Sequence, residues 1–366
     1  MTRRATARGD ERTSLDGTSA DVLICGASFA GLAVARELAG RGADVLLIDR
    51  YAIGERQTSA CAVPEGWLNQ MGAQRSLRAL LPDMTFSTPH GSVRYRLPWR
   101  WAAFDYRTLC EDLFAQCDAR FETAKVNGRT GFTVHTDRGD LHAPLIVDAL
   151  GWRRVLAKDG YQPPDAPLSR GLEVHPHAAQ DSSDDALDVW VDRSLAPRGF
   201  AWRVPAGAEE RIGVGSYEPR HHVREPTADL AERLGADVER WQGNWFPHRL
   251  RPAAEDGVFF CGDSAGHCFP LSGEGIRTAF HFGIAAGREI AAVLAGERTR
   301  EQALDRYAAF SAGHQKAFTR ALRLQRLVPA LPPRLLAVLL RALKPQPIVD
   351  RMFSWYLDQA PPDVQS

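Results

Sequence analysis

The sequence has little to offer for sulfur chemistry: its six cysteines are Cys25, Cys61, Cys110, Cys117, Cys261 and Cys268, and no two form a CxxC pair. With Cys25 and Cys261 inside apolar runs, this argues against a disulfide framework and for reduced thiols in a cytoplasmic protein. Net charge is also lacking, since 45 basic residues meet 45 acidic ones, and the overall balance pulls the chain toward neither nucleic acid nor an anionic surface. No apolar stretch follows Arg3 and Arg4 before Asp21, so no secretion signal is expected. The longest apolar run of the tail, Leu335 to Leu340, falls far short of the ~20 residues that span a bilayer. There is no internal repeat. His175 and His177 lie two apart without a third ligand at a recognisable spacing, so no metal is expected.

What remains is ordinary globular material: 366 residues, 44% apolar and 25% charged, enough for one large domain or two fused ones. Residues 1–20 are polar and read as a disordered extension. Asp21 to Gly26 reads as a buried strand, Ser28 to Ala39 as a helix and Asp44 to Asp49 as a second buried strand. Such a unit of about thirty residues is long enough for a parallel crossover. Met84 to Leu97 alternates in short strands broken by Pro89, His90 and Gly91, and Phe104 to Cys117 has helical spacing. Lys125 to Asp148 carries three strand signals, and a Pro- and Asp-rich stretch from Gly160 to Asp185 precedes a β-rich segment, Leu187 to Tyr217. Val258 to Asp263 reads as a buried strand and Ile276 to Leu294 as a helix. The rest, to Leu357, is helical and interrupted at Pro329, Pro332, Pro333, Pro345 and Pro347.

The turn after the first strand reads Gly26-Ala27-Ser28-Phe29-Ala30-Gly31. Gly26 permits a tight turn, Gly31 lets the helix pack on the strand, and the N–H groups at the helix start attract a pyrophosphate. Ser28 stands where a dinucleotide fingerprint has its second glycine, and its hydroxyl can itself donate to phosphate. Asp49, about twenty residues on, is placed to accept from ribose hydroxyls, which favours FAD or NAD over a 2′-phosphorylated cofactor. Any strand-to-helix turn can contain two glycines; the ordered strand, helix, strand and terminal acid favour the nucleotide reading.

A second segment is more specific. Phe260-Cys261-Gly262-Asp263-Ser264-Ala265-Gly266 ends a buried strand, and Pro270-Leu271-Ser272-Gly273-Glu274-Gly275-Ile276-Arg277 opens a long helix. The acid can hold a ribityl chain, and the helix start can aim its positive end at a flavin pyrimidine. These residues resemble the Gly-Asp motif of the flavoprotein family of geranylgeranyl reductases, FixC-type dehydrogenases and aromatic hydroxylases, within the glutathione-reductase-like superfamily. The likeness is greatest to the geranylgeranyl reductases, whose pattern is Gly-Asp-Ala-Ala-Gly, a proline, then Gly-Glu-Gly-Ile. Gly199-Phe200-Ala201-Trp202-Arg203-Val204-Pro205 and Arg211-Ile212-Gly213-Val214-Gly215 look like that family's Gly-Tyr-Gly-Trp-x-Phe-Pro and Asn-x-Gly-x-Gly strands of the substrate sheet. Asp105-Tyr106-Arg107 resembles the segment whose arginine approaches the FAD diphosphate.

The resemblance runs from about Asp21 to Leu327 and implies an α/β fold. Its parts are a discontinuous Rossmann-type FAD-binding domain (21–83, 104–159 and 251–315), an inserted antiparallel β-sheet substrate domain (84–103 and 160–250) and a helical C-terminal lid (316–366). It implies FAD contacts at Gly26, Ser28, Phe29, Ala30, Gly31, Asp49, Arg50, Arg107, Val126, Gly262, Asp263, Pro270, Gly273, Gly275 and Ile276, and substrate contacts at Trp202, Pro205 and His267. Asp148-Ala149-Leu150-Gly151 departs from the usual Asp-Gly pattern by an inserted apolar residue, and Trp152-Arg153-Arg154 stands where a serine is common. Docking of NADPH in the manner of the hydroxylases is therefore not implied. No second complete dinucleotide fingerprint is present, which leaves transient NAD(P)H, a ferredoxin or a partner flavin reductase as electron donor.

With a flavin supplying the hard chemistry, the chain must position a substrate, exclude water and deliver a proton. Cys61, after Gln57-Thr58-Ser59-Ala60, falls where several geranylgeranyl reductases carry a cysteine near the flavin. It is either that proton donor or a small buried residue. His267 reads as a site residue or as packing of its turn. Tyr95, Trp99 and Trp101 interleave with Arg94, Arg96 and Arg100 as an aromatic substrate surface or a solvated sheet edge. Lys316 to Lys344 holds seven basic residues and no acidic one. That segment is a lid over the site in the first reading and a peripheral contact with an anionic membrane in the second. The first functional reading is reduction of C=C bonds in a lipophilic, isoprenoid-like small molecule. The second is a flavin-dependent monooxygenase that hydroxylates or epoxidises, and the third a non-redox cyclase or binding protein with structural FAD. Nucleic acid is not an expected partner.

Overall fold

A computed structural model describes residues 12–158, 168–178 and 185–364; most of the Pro- and Asp-rich stretch lies outside them. A six-stranded sheet, ordered β17-β18-β11-β2-β3-β7, contains β2 (Val22–Cys25), β3 (Val45–Asp49), β7 (Arg120–Thr123), β11 (Leu145–Asp148), β17 (Ala254–Glu255) and β18 (Val258–Phe260). All its pairings are parallel except β17 with β18. The uninterrupted apolar runs of β2, β11 and β18 follow from burial on both faces, which a parallel sheet imposes.

Helices α1 (Phe29–Glu37) and α5 (Ile276–Leu294) pack together at glycines. A Cβ on Gly283 would lie 2.8 Å from the Ala30 carbonyl oxygen, and one on Gly287 would lie 2.6 Å from the Glu37 Cβ. Around this core lie α2 (Glu65–Gln70), α3 (Tyr106–Phe114) and α6 (Arg300–Gly313). A four-stranded sheet joins β1 (Thr18–Ser19), β10 (Gly139–His142), β9 (Thr133–Thr136) and β8 (Val126–Thr130) in that order.

The second large sheet has eight strands, ordered β16-β12-β15-β14-β13-β5-β6-β4. They are β4 (Ala62–Pro64), β5 (Leu77–Thr88), β6 (Gly91–Phe104), β12 (Leu168–Val174), β13 (Ala186–Trp190), β14 (Gly199–Pro205), β15 (Glu210–Ser216) and β16 (Gln242–Pro247). Helix α4 (Arg224–Arg233) lies against β15 and β12. After α7 (Gln315–Leu327), helices α8 (Pro333–Ala342) and α9 (Gln346–Asp358) cover β5 and β6. Tyr95 donates to the Leu340 carbonyl at 2.7 Å, and Trp99 Nε1 donates to that of Phe353 at 3.2 Å. The strand of alternating aromatics and arginines is thus a covered surface: Val93, Tyr95, Leu97 and Trp101 are buried, while Arg94, Arg96 and Arg100 face outward and pair with Asp83 and Glu65.

Three expectations are corrected. The disordered extension expected over residues 1–20 is contradicted from residue 12 onward, residues 1–11 lying outside the described residues: Leu15 is buried and Thr18–Ser19 pairs with Leu141 and His142. Such a short strand bonds through its backbone and leaves no periodic trace in the sequence. The sheet domain does not begin at residue 84, because β5 starts at Leu77 and β4 adds a further strand. Register shifts at Leu77/Ala79 and Leu81/Asp83 break the alternation that would have revealed the start of β5. Phe104 ends β6 instead of opening a helix; the Asp105 carboxylate accepts from Thr108 N at 2.8 Å and caps α3.

Candidate flavin and substrate site

The glycine-rich turn joins β2 to α1. Gly26 has φ 112°, and a Cβ there would stand 2.2 Å from the Ala149 carbonyl oxygen; one on Gly31 would stand 1.8 Å from that of Gly26. Both positions therefore demand glycine for close backbone approach. No side chain caps α1, so N–H groups of its first turn remain available to an anion. The Ser28 hydroxyl meets the Tyr106 hydroxyl at 3.1 Å. Phe29 turns its ring into the core against Phe104, Tyr106 and Phe280, so it brings backbone rather than ring to the turn. Ala30 lies beneath Gly262, 3.1 Å from where its Cβ would be.

Asp49 ends β3 and ties two loops together: its carboxylate accepts from Ala27 N at 2.9 Å and from Tyr51 N at 2.9 Å. Burial pushes its pKa up, against the pull of these N–H groups. Arg50 lies over the Tyr51 ring. Arg107, in the first turn of α3, packs its backbone against Gly54; its exposed guanidinium has no hydrogen-bond or ion-pair partner among the described residues. Val126 opens β8 as a buried core residue.

The Gly-Asp segment forms a 3-10 turn after β18, with Gly262 at φ 61°. The Asp263 carboxylate has no hydrogen-bond partner among the described residues, and burial raises its pKa to about 6 despite the charge of Arg251. Gly275, the N-cap of α5, is beside it: a Cβ there would lie 3.5 Å from Asp263 Oδ1. Ile276 opens α5 and Pro270 is buried. Gly273, at φ 65°, lets the loop pass under Phe246 and Phe200 of the large sheet. An unsatisfied carboxylate, an unpaired guanidinium and an uncapped helix start together fit FAD, with ribityl, diphosphate and pyrimidine partners all represented.

On the substrate sheet, Trp202 lies across glycines: a Cβ on Gly213 would be 2.3 Å from its ring, one on Gly215 3.2 Å and one on Gly171 3.5 Å. Its Nε1 donates to Glu173 at 3.1 Å. The Gly213 and Gly215 pattern is thus the bed of one indole. Pro205 closes β14 opposite Glu210. His267 lies in the core behind its turn. Gly266, at φ 70°, sends it inward, where Nε2 meets Ser311 Oγ at 2.9 Å and the ring stacks on Phe282. Burial drives its pKa well down.

Cys61 is fully buried and holds φ 51°, a left-handed conformation costing a β-carbon residue about 1–2 kcal/mol. Burial raises its thiol well above the usual range, with Arg211 opposing, so the thiol stays protonated. Three further elements of the site were not anticipated. Asp148 accepts from Ser264 Oγ at 2.6 Å and from Leu156 N at 2.8 Å, locking the end of β11 to the Gly-Asp turn. Its signal was a lone acid closing an apolar strand. Arg154 donates to the Ser264 carbonyl at 2.8 Å and to Glu255 at 2.8 Å. Glu274 accepts from Arg277 Nε at 2.5 Å and from the Tyr356 hydroxyl at 2.5 Å, while Arg277 Nη1 donates to the Leu357 carbonyl at 3.0 Å. The three-residue spacing of Glu274 and Arg277 marks the pair; nothing local marks α9 as its partner. Among the described residues no three His, Cys, Asp or Glu side chains are grouped to hold a metal ion.

This arrangement defines a Rossmann-type dinucleotide site beside the eight-stranded sheet, which is antiparallel except where β13 pairs with β5 in parallel, a departure from the fully antiparallel sheet expected. Residues 21–124 match the family described as FAD dependent oxidoreductase. The chain is 28% identical over 321 residues, 76% of its length and 78% of the relative's, to digeranylgeranylglycerophospholipid reductase 1 of Methanothermobacter thermautotrophicus. Its fold is similar to that of a geranylgeranyl bacteriochlorophyll reductase-like protein from Thermoplasma acidophilum, with a TM-score of 0.81 at 16% identity over 94% of this chain and 97% of that one. It is also similar to PqsL, a probable FAD-dependent monooxygenase from Pseudomonas aeruginosa, with a TM-score of 0.67 at 16% identity over 88% of this chain and 100% of that one. The chain is an FAD-dependent oxidoreductase.

Proposed function

We propose that the chain reduces carbon–carbon double bonds in a lipophilic, isoprenoid-like substrate. The observation that carries the reading is the buried, protonated thiol of Cys61, set where β4 of the substrate sheet begins. The M. thermautotrophicus relative, named for a geranylgeranyl lipid, supports the substrate class. FAD, when bound, supplies the hydride. Gly26 and the first turn of α1 would hold its pyrophosphate with Arg107, Asp49 a ribose, and Asp263 with the start of α5 the ribityl chain and ring. The chain's own chemistry is the proton: the Cys61 S–H bond breaks, a C–H bond forms at the carbon opposite the one that received hydride, and the thiolate regains its proton from water between turnovers. Trp202, Phe200 and Phe246 offer apolar surface to the hydrocarbon.

The test is an anaerobic incubation of the reduced protein with a digeranylgeranyl glycerophospholipid, read by mass spectrometry. A gain of two hydrogens per double bond supports the reading, and none sinks it. Incorporation of oxygen from labelled O₂ would select the monooxygenase instead, a reading that the fold likeness to PqsL supports.

The same reading gives the C-terminal helices a second task, contact with an anionic membrane holding the substrate. Leu336, Ala337 and Leu340 turn α8 inward, while Leu335, Val338 and Leu339 form an exposed apolar stripe beside exposed Arg334, Arg341 and Lys344. An apolar stripe flanked by cations supports adsorption to a bilayer surface.

A further inference from the structure

Arg211 projects from β15 yet is almost fully buried, at 1% exposure. Its guanidinium reaches across the eight-stranded sheet from β15 to the backbone around Cys61, where β4 begins. Nη1 donates to the Ala60 carbonyl at 2.6 Å and to the Cys61 carbonyl at 3.1 Å, and Nη2 donates to the Phe104 carbonyl at 2.9 Å. Nε and Nη2 both donate to Glu209, at 3.1 and 2.9 Å, which neutralises the buried charge. Phe104 N in turn donates to the Cys61 carbonyl at 2.9 Å, so one guanidinium stitches together the loop of Cys61, the end of β6 and β15 of the same eight-stranded sheet. Cys61 is the residue of that loop with φ 51°, and an unfavourable backbone angle persists only when its surroundings over-determine it. A planar fork of donors can serve three carbonyls from fixed directions, which an ammonium at the end of a flexible stem cannot. Arginine stands here where the resembled strand pattern has asparagine, so this clamp was not expected from the resemblance.

We infer that Arg211 is the positioning residue for Cys61: it holds the Cys61 backbone in its left-handed conformation and thereby fixes where the thiol lies relative to the substrate. The consequence for turnover rests on the proposed reductase chemistry; the effect on the thiol does not. Removing the guanidinium leaves the carbonyls of Ala60, Cys61 and Phe104 without their shared donor, and the loop relaxes toward ordinary backbone angles. The thiol then moves off its line of approach and becomes reachable from solvent.

The experiment uses the full-length, flavin-loaded protein and the variants Arg211→Met, Arg211→Lys and Cys61→Ser. Alkylation of Cys61 by iodoacetamide is followed on its peptide by mass spectrometry, and anaerobic kcat and KM are measured with the digeranylgeranyl glycerophospholipid. The expected result for Arg211→Met is markedly faster alkylation and a kcat lower by about 10²-fold, the usual cost of a misplaced reacting group, with KM little changed. Arg211→Lys should recover part of both. Flavin content and unfolding temperature report on folding, and if Arg211→Met does not fold, Arg211→Lys against wild type carries the comparison. Alkylation as slow as in wild type in every folded Arg211 variant overturns the inference. So does a loss in which kcat, KM and unfolding temperature deteriorate together with no rescue by lysine. If alkylation accelerates while Cys61→Ser turns over at the wild-type rate, Arg211 still positions Cys61 and it is the proton-donor reading that falls.

Discussion

Asp263 offers the sharpest quantitative test, because its half-buried carboxylate has no hydrogen-bond donor among the described residues and desolvation lifts its pKa from 3.8 to about 6. Replacing it with Asn keeps the shape and removes the charge. A displacement of about two pH units is worth about 3 kcal/mol. The sign follows from linkage: between about pH 4 and about pH 6 the folded apoprotein binds a proton that the unfolded chain has released, so stability falls as pH rises through this window. Below it both states are neutral and the penalty vanishes; above it the full penalty is present. Apo Asp263→Asn should therefore melt higher than apo wild type at pH 8 by up to about 4 °C for a chain of this size, and at the same temperature near pH 3.5. Differential scanning calorimetry of flavin-stripped protein at several pH values checks this. A melting difference independent of pH, or a wild type more stable at pH 8, would refute the reasoning. FAD should act oppositely, since the substitution weakens the acceptor proposed for the ribityl chain, and fluorescence titration should show lower affinity in the variant.

Gly31→Val places a Cβ where the Gly26 carbonyl oxygen is only 1.8 Å away, and the protein should purify without flavin; stoichiometric FAD would contradict the turn assignment. Arg107→Ala should weaken FAD binding by about 10-fold or more, as expected for loss of a charged hydrogen bond, with a reduced salt dependence seen by titration. Cys61→Ser should retain reducible FAD while product formation falls by at least ~10²-fold; near-normal turnover would reduce Cys61 to packing. Val338→Asp with Leu339→Asp should abolish sedimentation with phosphatidylglycerol vesicles while leaving flavin content intact, and wild-type protein that ignores those vesicles removes the membrane contact.

The elements proposed to carry the cofactor were legible in order because each is written locally. The apolar run of β2, the glycines of its turn, Asp49 at the end of β3 and the Gly-Asp turn all announce themselves within a few residues, and α5 spans Ile276–Leu294, as its periodicity indicates. Periodicity says which face of an element is buried; it does not say against what. That is why the aromatic face of β6 was visible while its cover, α8 and α9, was not: Trp99 meets Phe353 from 254 positions away, and Tyr95 donates to the Leu340 carbonyl from 245. The inward turn of His267, the glycine bed under Trp202 and the reach of Arg211 across 150 positions to the Cys61 carbonyl belong to the same class. Each is set by a close approach between segments far apart in the chain, and only the packed tertiary structure decides which segments those are.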